Sequence, residues 1–243
     1  MNHTLVIIPT YNERENIKPI IDAILGDHPE IHLLIVDDNS PDGTAALVQE
    51  KMQDFPNRLF LENRTKKSGL GTAYIHGFKW AMARDYEYVF EMDADFSHDP
   101  ADIQTLYEAC AVHGADLAIG SRYVKGVNVV NWPMSRVLLS YTASKYVRFI
   151  TRMDIHDTTA GFKCFRMSLL RKLNLDKIKF VGYAFQIEMK FKAYLLKAKI
   201  IEVPVIFTDR SRGQSKMSTG IIGEAVTGIL KMKLKSLLGT LEI

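Results

Sequence analysis

A chain of 243 residues, 47% hydrophobic and 24% charged, has the composition of an ordinary globular protein with room for a sizeable core. No apolar run approaches the roughly 18 residues of a membrane-spanning helix, no signal-peptide cleavage pattern follows the first apolar stretch, and two cysteines make neither a disulfide framework nor a metal-spacing pattern. The net charge of +3 hides a division: residues 1–110 carry 9 Lys+Arg against 19 Asp+Glu, and residues 111–243 carry 22 against 9.

Taken in chain order, the first half alternates strand and helix patterns. Strands are expected over 5–8, 31–36, 58–61, the run ending near Glu91, and 116–119. Helices are expected over 13–25, where Ile17, Ile20, Ile21 and Ile24 recur at helical spacing, then over about 44–52, 70–84 and 100–113. This alternation predicts an α/β fold with a mostly parallel sheet flanked by helices. The second half is less regular, with helices over 134–150, 183–197 and 221–238. A strand over 200–207 is interrupted by Pro204, which places it at an edge or bulge. No repeat or linker divides the chain, which reads as one domain over 1–243, with a nucleotide-sugar half (1–125) and an acceptor- and membrane-facing half (126–243).

Polar clusters fall where the strands end: Pro9-Thr10-Tyr11-Asn12-Glu13, Asp37-Asp38-Asn39-Ser40, Asp93-Ala94-Asp95 and Gly120-Ser121-Arg122. Ligands of parallel α/β sheets bind outside the carboxyl ends of the strands. Asp93 and Asp95, two residues apart after a strand, can face one site. Two adjacent carboxylates repel unless a cation lies between them, and their hard oxygens suit Mg²⁺ or Mn²⁺ bridging to substrate phosphates. Gly69-Leu70-Gly71 opens a helix but lacks the P-loop ending and the dinucleotide fingerprint, so ATPase and dehydrogenase readings are set aside. The glycines are expected to permit a tight turn near the ligand. The basic second half favours an anionic partner such as a lipid phosphate or membrane surface. The chain carries no RNA motif or stacking platform, so no nucleic acid is expected. Cys110 and Cys164 read as reduced core residues of a cytosolic protein.

These segments resemble the dolichol- or polyprenol-phosphate mannose synthases. The resemblance is carried by Val6-Ile7-Ile8-Pro9-Thr10-Tyr11-Asn12-Glu13, Val36-Asp37-Asp38-Asn39-Ser40 and Met92-Asp93-Ala94-Asp95-Phe96-Ser97-His98. It continues through Trp132-Pro133-x-x-Arg136, Thr159-Ala160-Gly161-Phe162, Tyr183-x-Phe185-Gln186-x-Glu188 and Arg210-x-x-Gly213-x-Ser215-Lys216, so it covers nearly the whole chain. It implies the GT-A nucleotide-sugar fold and inverting transfer from GDP-mannose to a polyprenyl phosphate. On the same basis Pro9, Tyr11, Glu13, Val36 and Asp38 would contact guanosine. Asp93, Ala94 and Asp95 would meet ribose, diphosphate and metal, and Arg122, Arg210 and Lys216 would contact sugar and phosphates. Asp95, Arg122 and Arg210 are the implied catalytic set, and Asp93 and Asp95 the metal ligands. Ser97 stands where some relatives place Gln and is expected to act through water. A UDP-glucose donor, or a glycan acceptor, is the competing reading. The enzyme is expected on the cytoplasmic face of a membrane, held peripherally or by an anchoring subunit, with helices 134–150 and 221–238 as interfacial segments.

Overall fold

The computed structural model describes residues 1–182, 184–209 and 220–243. Its centre is a seven-stranded sheet. The parallel part contains β1 (Thr4–Thr10), β2 (Ile31–Asp37), β3 (Leu59–Asn63) and β4 (Tyr88–Glu91), and further on β5 (Leu117–Ser121) pairs in parallel with β8 (Ile200–Pro204). The spatial order is β3-β2-β1-β4-β7-β5-β8, and β7 (Lys163–Arg166) runs antiparallel between β4 and β5. A two-stranded ribbon, β6 (Val129–Val130) with β9 (Phe207–Thr208), lies apart from it.

Strand alternation divides the core into two layers. Leu5 and Ile7 of β1 pack with α3 (Leu70–Met82), α7 (Ala184–Leu195) and buried residues of α5 (Met134–Thr151) and α8 (Gly220–Leu237). Val6 and Ile8 face the other way, onto α1 (Ile17–Asp27), α2 (Thr44–Lys51) and α4 (Asp102–Ala111). Residues i and i+2 of a strand share a face, and a mainly parallel sheet is covered on both. A four-residue helix, α6 (Met167–Leu170), follows β7.

Two departures from the sequence pattern, and one agreement with it, bear on the site. The first helix starts at Ile17 rather than Glu13, because residues 12–14 are bonded instead to the loop after β2. β7 was not expected as a strand. It is four residues long, and the fully buried Lys163 breaks its apolar run. Pro204 does end β8, and β8 is the sheet edge, where a missing N–H is tolerated.

Gly69 and Gly71 pack closely against protein. Gly69 has φ +99°, and a Cβ on Gly71 would stand 2.7 Å from the Phe185 ring and 2.9 Å from the Phe180 carbonyl oxygen. The Gly71 N–H also donates to Val181 O at 2.8 Å, so α3 starts in contact with the segment leading into α7.

Candidate active site

The carboxyl ends of β1 and β2 are tied together by side chains. Thr10 Oγ1 donates to Asp37 Oδ1 at 2.8 Å across the parallel pair, and Asp37 also accepts from Ser40 N and Oγ at 2.8 and 2.6 Å. Ser40 Oγ accepts from Asn12 N at 3.0 Å, Thr44 Oγ1 from Glu13 N at 3.1 Å, and Asp42 Oδ2 from Arg14 N at 3.1 Å. Burial works against the Asp42 charge, but hydrogen bonds from Thr44 and the Arg14 amide outweigh it and hold its carboxyl low. Asn12 and Asn39 sit at φ +56° and +58°, a region that Asn tolerates better than most residues.

Asp38 is buried beside Arg64, with Nη1 3.1 Å from Oδ1 but misaligned for a hydrogen bond, and it accepts from Ser68 N at 3.3 Å. Burial raises its pKa and Arg64 opposes the rise. The Tyr11 ring carries Lys67 Nζ 4.3 Å from its centroid. Pro9 is half-buried on β1. Val36 is a core residue with no exposed surface, side chain or backbone.

Strand β4 stops at Glu91, so Asp93 and Asp95 are placed by a loop rather than by strand alternation. Asp95 is buried and accepts the Ser97 N–H at 3.1 Å, which turns the chain back on itself. Between them Phe96 adopts φ +58°, a conformation costly for a bulky residue and typical of functional loops. Asp93, half-buried, faces Tyr74, whose hydroxyl donates to Met92 O at 3.1 Å and reaches Asp93 Oδ1 at 3.5 Å. Among the described residues no three His, Cys, Asp or Glu side chains form a metal cage. A pair of carboxylates is nonetheless the donor set that a small divalent ion bridging to phosphates uses. The loop thus fits the expected ion, and the Ser97 N–H supports the Asp95 carboxylate within it.

Arg122, just beyond β5, is held at two points. Its Nε and Nη2 donate to Asp157 Oδ2 and Oδ1 at 2.6 and 2.7 Å, and Nη2 also to Thr159 Oγ1 at 2.8 Å. Burial disfavours the Asp157 charge, but the guanidinium overrides it and keeps the pKa below the usual carboxylate value. Tyr123, Trp132 and Phe207 surround the guanidinium at 5.1, 5.4 and 5.5 Å. The other face of this aromatic group carries Arg136, 4.0 Å from the Trp132 ring and hydrogen-bonded to Asp209 at 2.8 Å. His98 is buried between Phe162 and Phe207. Burial first, and Arg122 second, push its pKa down to about 4, so it is neutral near pH 7. A cleft of about 530 Å³ lies between α1 and the loop after β4, lined by Ala23, Asp27, Asp95, Phe96, His98 and Asp209 among others; neither Asp93 nor Arg122 lines it. Arg210 and Lys216, expected beside the phosphates, lie outside the described residues.

A glycosyl transferase family 2 model matches residues 5–174. The chain belongs to that family. It is a glycosyltransferase. Several characterised members are similar to it. A polyprenol monophosphomannose synthase of Mycolicibacterium smegmatis is 48% identical over 92% of this chain and 84% of its own. An undecaprenyl-phosphate mannosyltransferase of Micrococcus luteus is 44% identical over 93% and 92%. A dolichol-phosphate mannosyltransferase of Pyrococcus furiosus is 39% identical over 93% of this chain and 62% of its own. The glucosyl-3-phosphoglycerate synthase of Mycobacterium tuberculosis, solved with Mn²⁺, UDP and glucosyl-3-phosphoglycerate, superimposes with a TM-score of 0.67. It is 18% identical over 97% of this chain and 80% of that one, a likeness of fold alone. The architecture is the GT-A fold.

Several residues of this glycosyltransferase site escape a reading by motif. Asp157 is isolated in sequence from Arg122, and Glu202, which accepts the His156 and Asp157 N–H groups at 2.7 and 2.8 Å, is more distant still. Lys163 and Lys190 have no exposed surface. Their signal is a lysine inside an apolar run, Phe162-Lys163-Cys164-Phe165 and Met189-Lys190-Phe191. The two cysteines are buried and unbridged, as expected.

Proposed function

We propose that this glycosyltransferase moves mannose from GDP-mannose to the phosphate of a polyprenyl phosphate, with inversion and with Mg²⁺ or Mn²⁺, while seated on a membrane surface. The observation that carries the reading is the 48% identity to a polyprenol monophosphomannose synthase over 92% of the chain. The alignment reaches across both halves of the chain.

The stitched loops after β1 and β2 would take the guanosine, with Pro9, Tyr11, Glu13 and Asp38 lining it and Val36 packed behind them. Asp93 and Asp95 would hold the divalent ion, with Ala94 between them against ribose and diphosphate. When bound, the ion offsets the charge that grows on the departing diphosphate. The acceptor needs little activation. A phosphate monoester has its second pKa near about 6 and is largely dianionic at neutral pH, so its oxygen can attack the anomeric carbon without a strong base. This agrees with the neutral, enclosed His98. The chain's task is to bring two polyanions together. Arg122, fixed by Asp157 and surrounded by aromatic rings, would hold its guanidinium in one place for contact with sugar or phosphate. Arg136, and by resemblance Arg210 and Lys216, would add donors suited to phosphate.

No described helix is long and apolar enough to cross a membrane. Helices α5 and α8 instead expose Leu138 (56%), Phe149 (67%), Leu234 (56%) and Leu237 (71%) next to exposed Lys145, Arg152, Lys231 and Lys235. Apolar side chains mixed with cations are what an interfacial helix presents to an anionic bilayer. An isoprenoid tail would enter from that side.

The deciding experiment incubates the protein with labelled GDP-mannose, Mn²⁺ or Mg²⁺ and dispersed polyprenyl phosphate, and measures label in the organic phase. Transfer that is lost in Asp95→Ala, with a β-linked product by NMR, is the expected result. Transfer from UDP-glucose but not GDP-mannose would overturn the donor assignment, and an α-linked product would overturn inversion.

A further inference from the structure

Residues 157–161 form a strap between the two sides of the site. At its start, Asp157 grips Arg122 at two points, and Thr159 accepts from the same guanidinium at 2.8 Å. At its end, Gly161 lies against the metal-binding loop: a Cβ there would stand 3.8 Å from Asp93 Oδ2 and 3.7 Å from Gln186 Nε2. The strap therefore holds Arg122 at one end and comes close to Asp93 at the other.

Among the described residues, one side chain pins its middle. Lys190 of α7 has no exposed surface, and its Nζ donates to Thr158 O at 3.0 Å and to Ala160 O at 2.7 Å. One turn earlier on the same helix, Gln186 donates to Glu91 Oε2 at 2.8 Å and accepts from Lys163 Nζ, while Lys163 lies 3.1 Å from Glu91 Oε1. Residues four apart share a helix face. One face of α7 thus braces the strap through Lys190 and the end of β4, two residues before Asp93, through Gln186.

Burying an amine without a carboxylate bonded to it is costly, and an apolar side chain of similar length would fill the space with less penalty. Burial and the neighbouring Lys163 push the Lys190 pKa well down. The neutral amine still has two N–H groups for the two carbonyls, so the brace does not depend on its charge.

We propose that Lys190 is a positioning residue for sugar transfer: by pinning the carbonyls of Thr158 and Ala160 it sets the placement of Arg122 relative to Asp93, and so of acceptor phosphate relative to donor. Its catalytic consequence rests on the reading of those two residues given under Proposed function. A small displacement between reacting groups costs rate out of proportion to its size.

The test compares Lys190→Met, which keeps length and loses both donors, with Lys190→Gln, which restores an N–H₂ on a shorter chain. Hydrogen exchange of the strap and Arg122 amides, read by mass spectrometry on the whole chain, tests the brace without any assay of transfer. Faster exchange in Lys190→Met, with β1 and β2 unchanged and partial recovery in Lys190→Gln, is expected. Unchanged strap exchange overturns the proposal. In the transfer assay, kcat of Lys190→Met is expected to fall between about tenfold and a hundredfold, with GDP affinity retained and partial return in Lys190→Gln. A fall that only follows the folded fraction, or wild-type kcat, overturns the positioning role. An inactive wild type would instead count against the substrate assignment, and the exchange result would still decide whether Lys190 holds the strap.

Discussion

Arg122 and Asp157 form a two-point ion pair almost out of solvent, with 7% of the arginine and none of the aspartate exposed. Asp157 also accepts the Arg122 backbone N–H at 3.0 Å, so one carboxylate fixes both the backbone and the side chain of the arginine. Removing one partner of such a pair leaves an uncompensated buried charge. Asp157→Asn is expected to lower stability by about 3–5 kcal/mol and to reduce transfer beyond the loss of folded protein. Urea denaturation, with activity normalised to the folded fraction, checks both. An unchanged midpoint would mean that solvent or another residue already balances Arg122.

Metal dependence has a readout that does not require turnover. A ligand bound only by the folded state raises the unfolding temperature. Mn²⁺ together with GDP is expected to raise it for the wild type, EDTA to cancel the rise, and Asp95→Ala to abolish it. Asp95 lies in a loop whose turn is already made by the Ser97 N–H, so the variant is expected to remain folded without metal. A full metal response in Asp95→Ala would remove Asp95 from the ion's ligands.

The packing of α3 against the α7 approach gives a steric prediction. Gly71→Ala places a methyl group 2.7 Å from the buried Phe185 ring and 2.9 Å from a backbone oxygen, where little can yield. Overpacking of this kind costs about 1–3 kcal/mol. Gly26→Ala, with nothing within 4 Å of the new methyl and a place inside α1, is the control. It is expected to be neutral or to stabilise by up to about 1 kcal/mol. Thermal melts that rank the two in the opposite order would refute the contact.

The donor side of the site was legible because its chemistry sits in short runs after apolar strands. Asp37-Asp38-Asn39-Ser40 and Asp93-Ala94-Asp95 fall where β2 and β4 end, and a parallel sheet brings such ends to one edge. The acceptor side was legible only as isolated cations. What positions Arg122 is a carboxylate 35 residues later, and what positions that strap is a lysine on another helix, pairings that no local period encodes. The basic excess of residues 111–243 suggests an anionic partner, yet Lys163, Lys190 and Lys192 are wholly buried and cannot meet one at the surface. The antiparallel β7 was missed for the same reason, since Lys163 sits where the strand pattern calls for an apolar residue.

His98 makes the fold sensitive to mild acid. Its pKa is about 4 in the folded protein, mainly through burial, against about 6.5 in an unfolded chain. Between these values the unfolded state binds a proton that the folded state refuses, so stability falls as pH drops from about 6.5 to 4. Fully developed, the loss is about 3 kcal/mol. His98→Phe keeps a ring between Phe162 and Phe207 and removes the titration. In metal-free buffer, the stability difference between wild type and His98→Phe is therefore expected to shift in favour of the variant as pH falls through that window. Parallel pH profiles would show that His98 takes up its proton in the folded state.

The outward face of α5 and α8 leads to the last prediction. Leu234, Leu237 and Leu238 are 56%, 71% and 67% exposed, so changing all three to Ser removes little core packing, and the unfolding temperature should stay within a few degrees of wild type. Each apolar side chain that enters the bilayer boundary contributes to partitioning, and the adjacent Lys231 and Lys235 add attraction to anionic headgroups. Flotation with vesicles containing anionic lipid is expected to show binding by the wild type, weakened by salt, and a marked loss in the triple variant. Transfer to a short, water-dispersed polyprenyl phosphate should survive in that variant, because none of the three leucines belongs to the Arg122 or Asp95 surroundings. Vesicle binding equal to wild type would assign membrane contact to α5 alone, through Leu138 and Phe149.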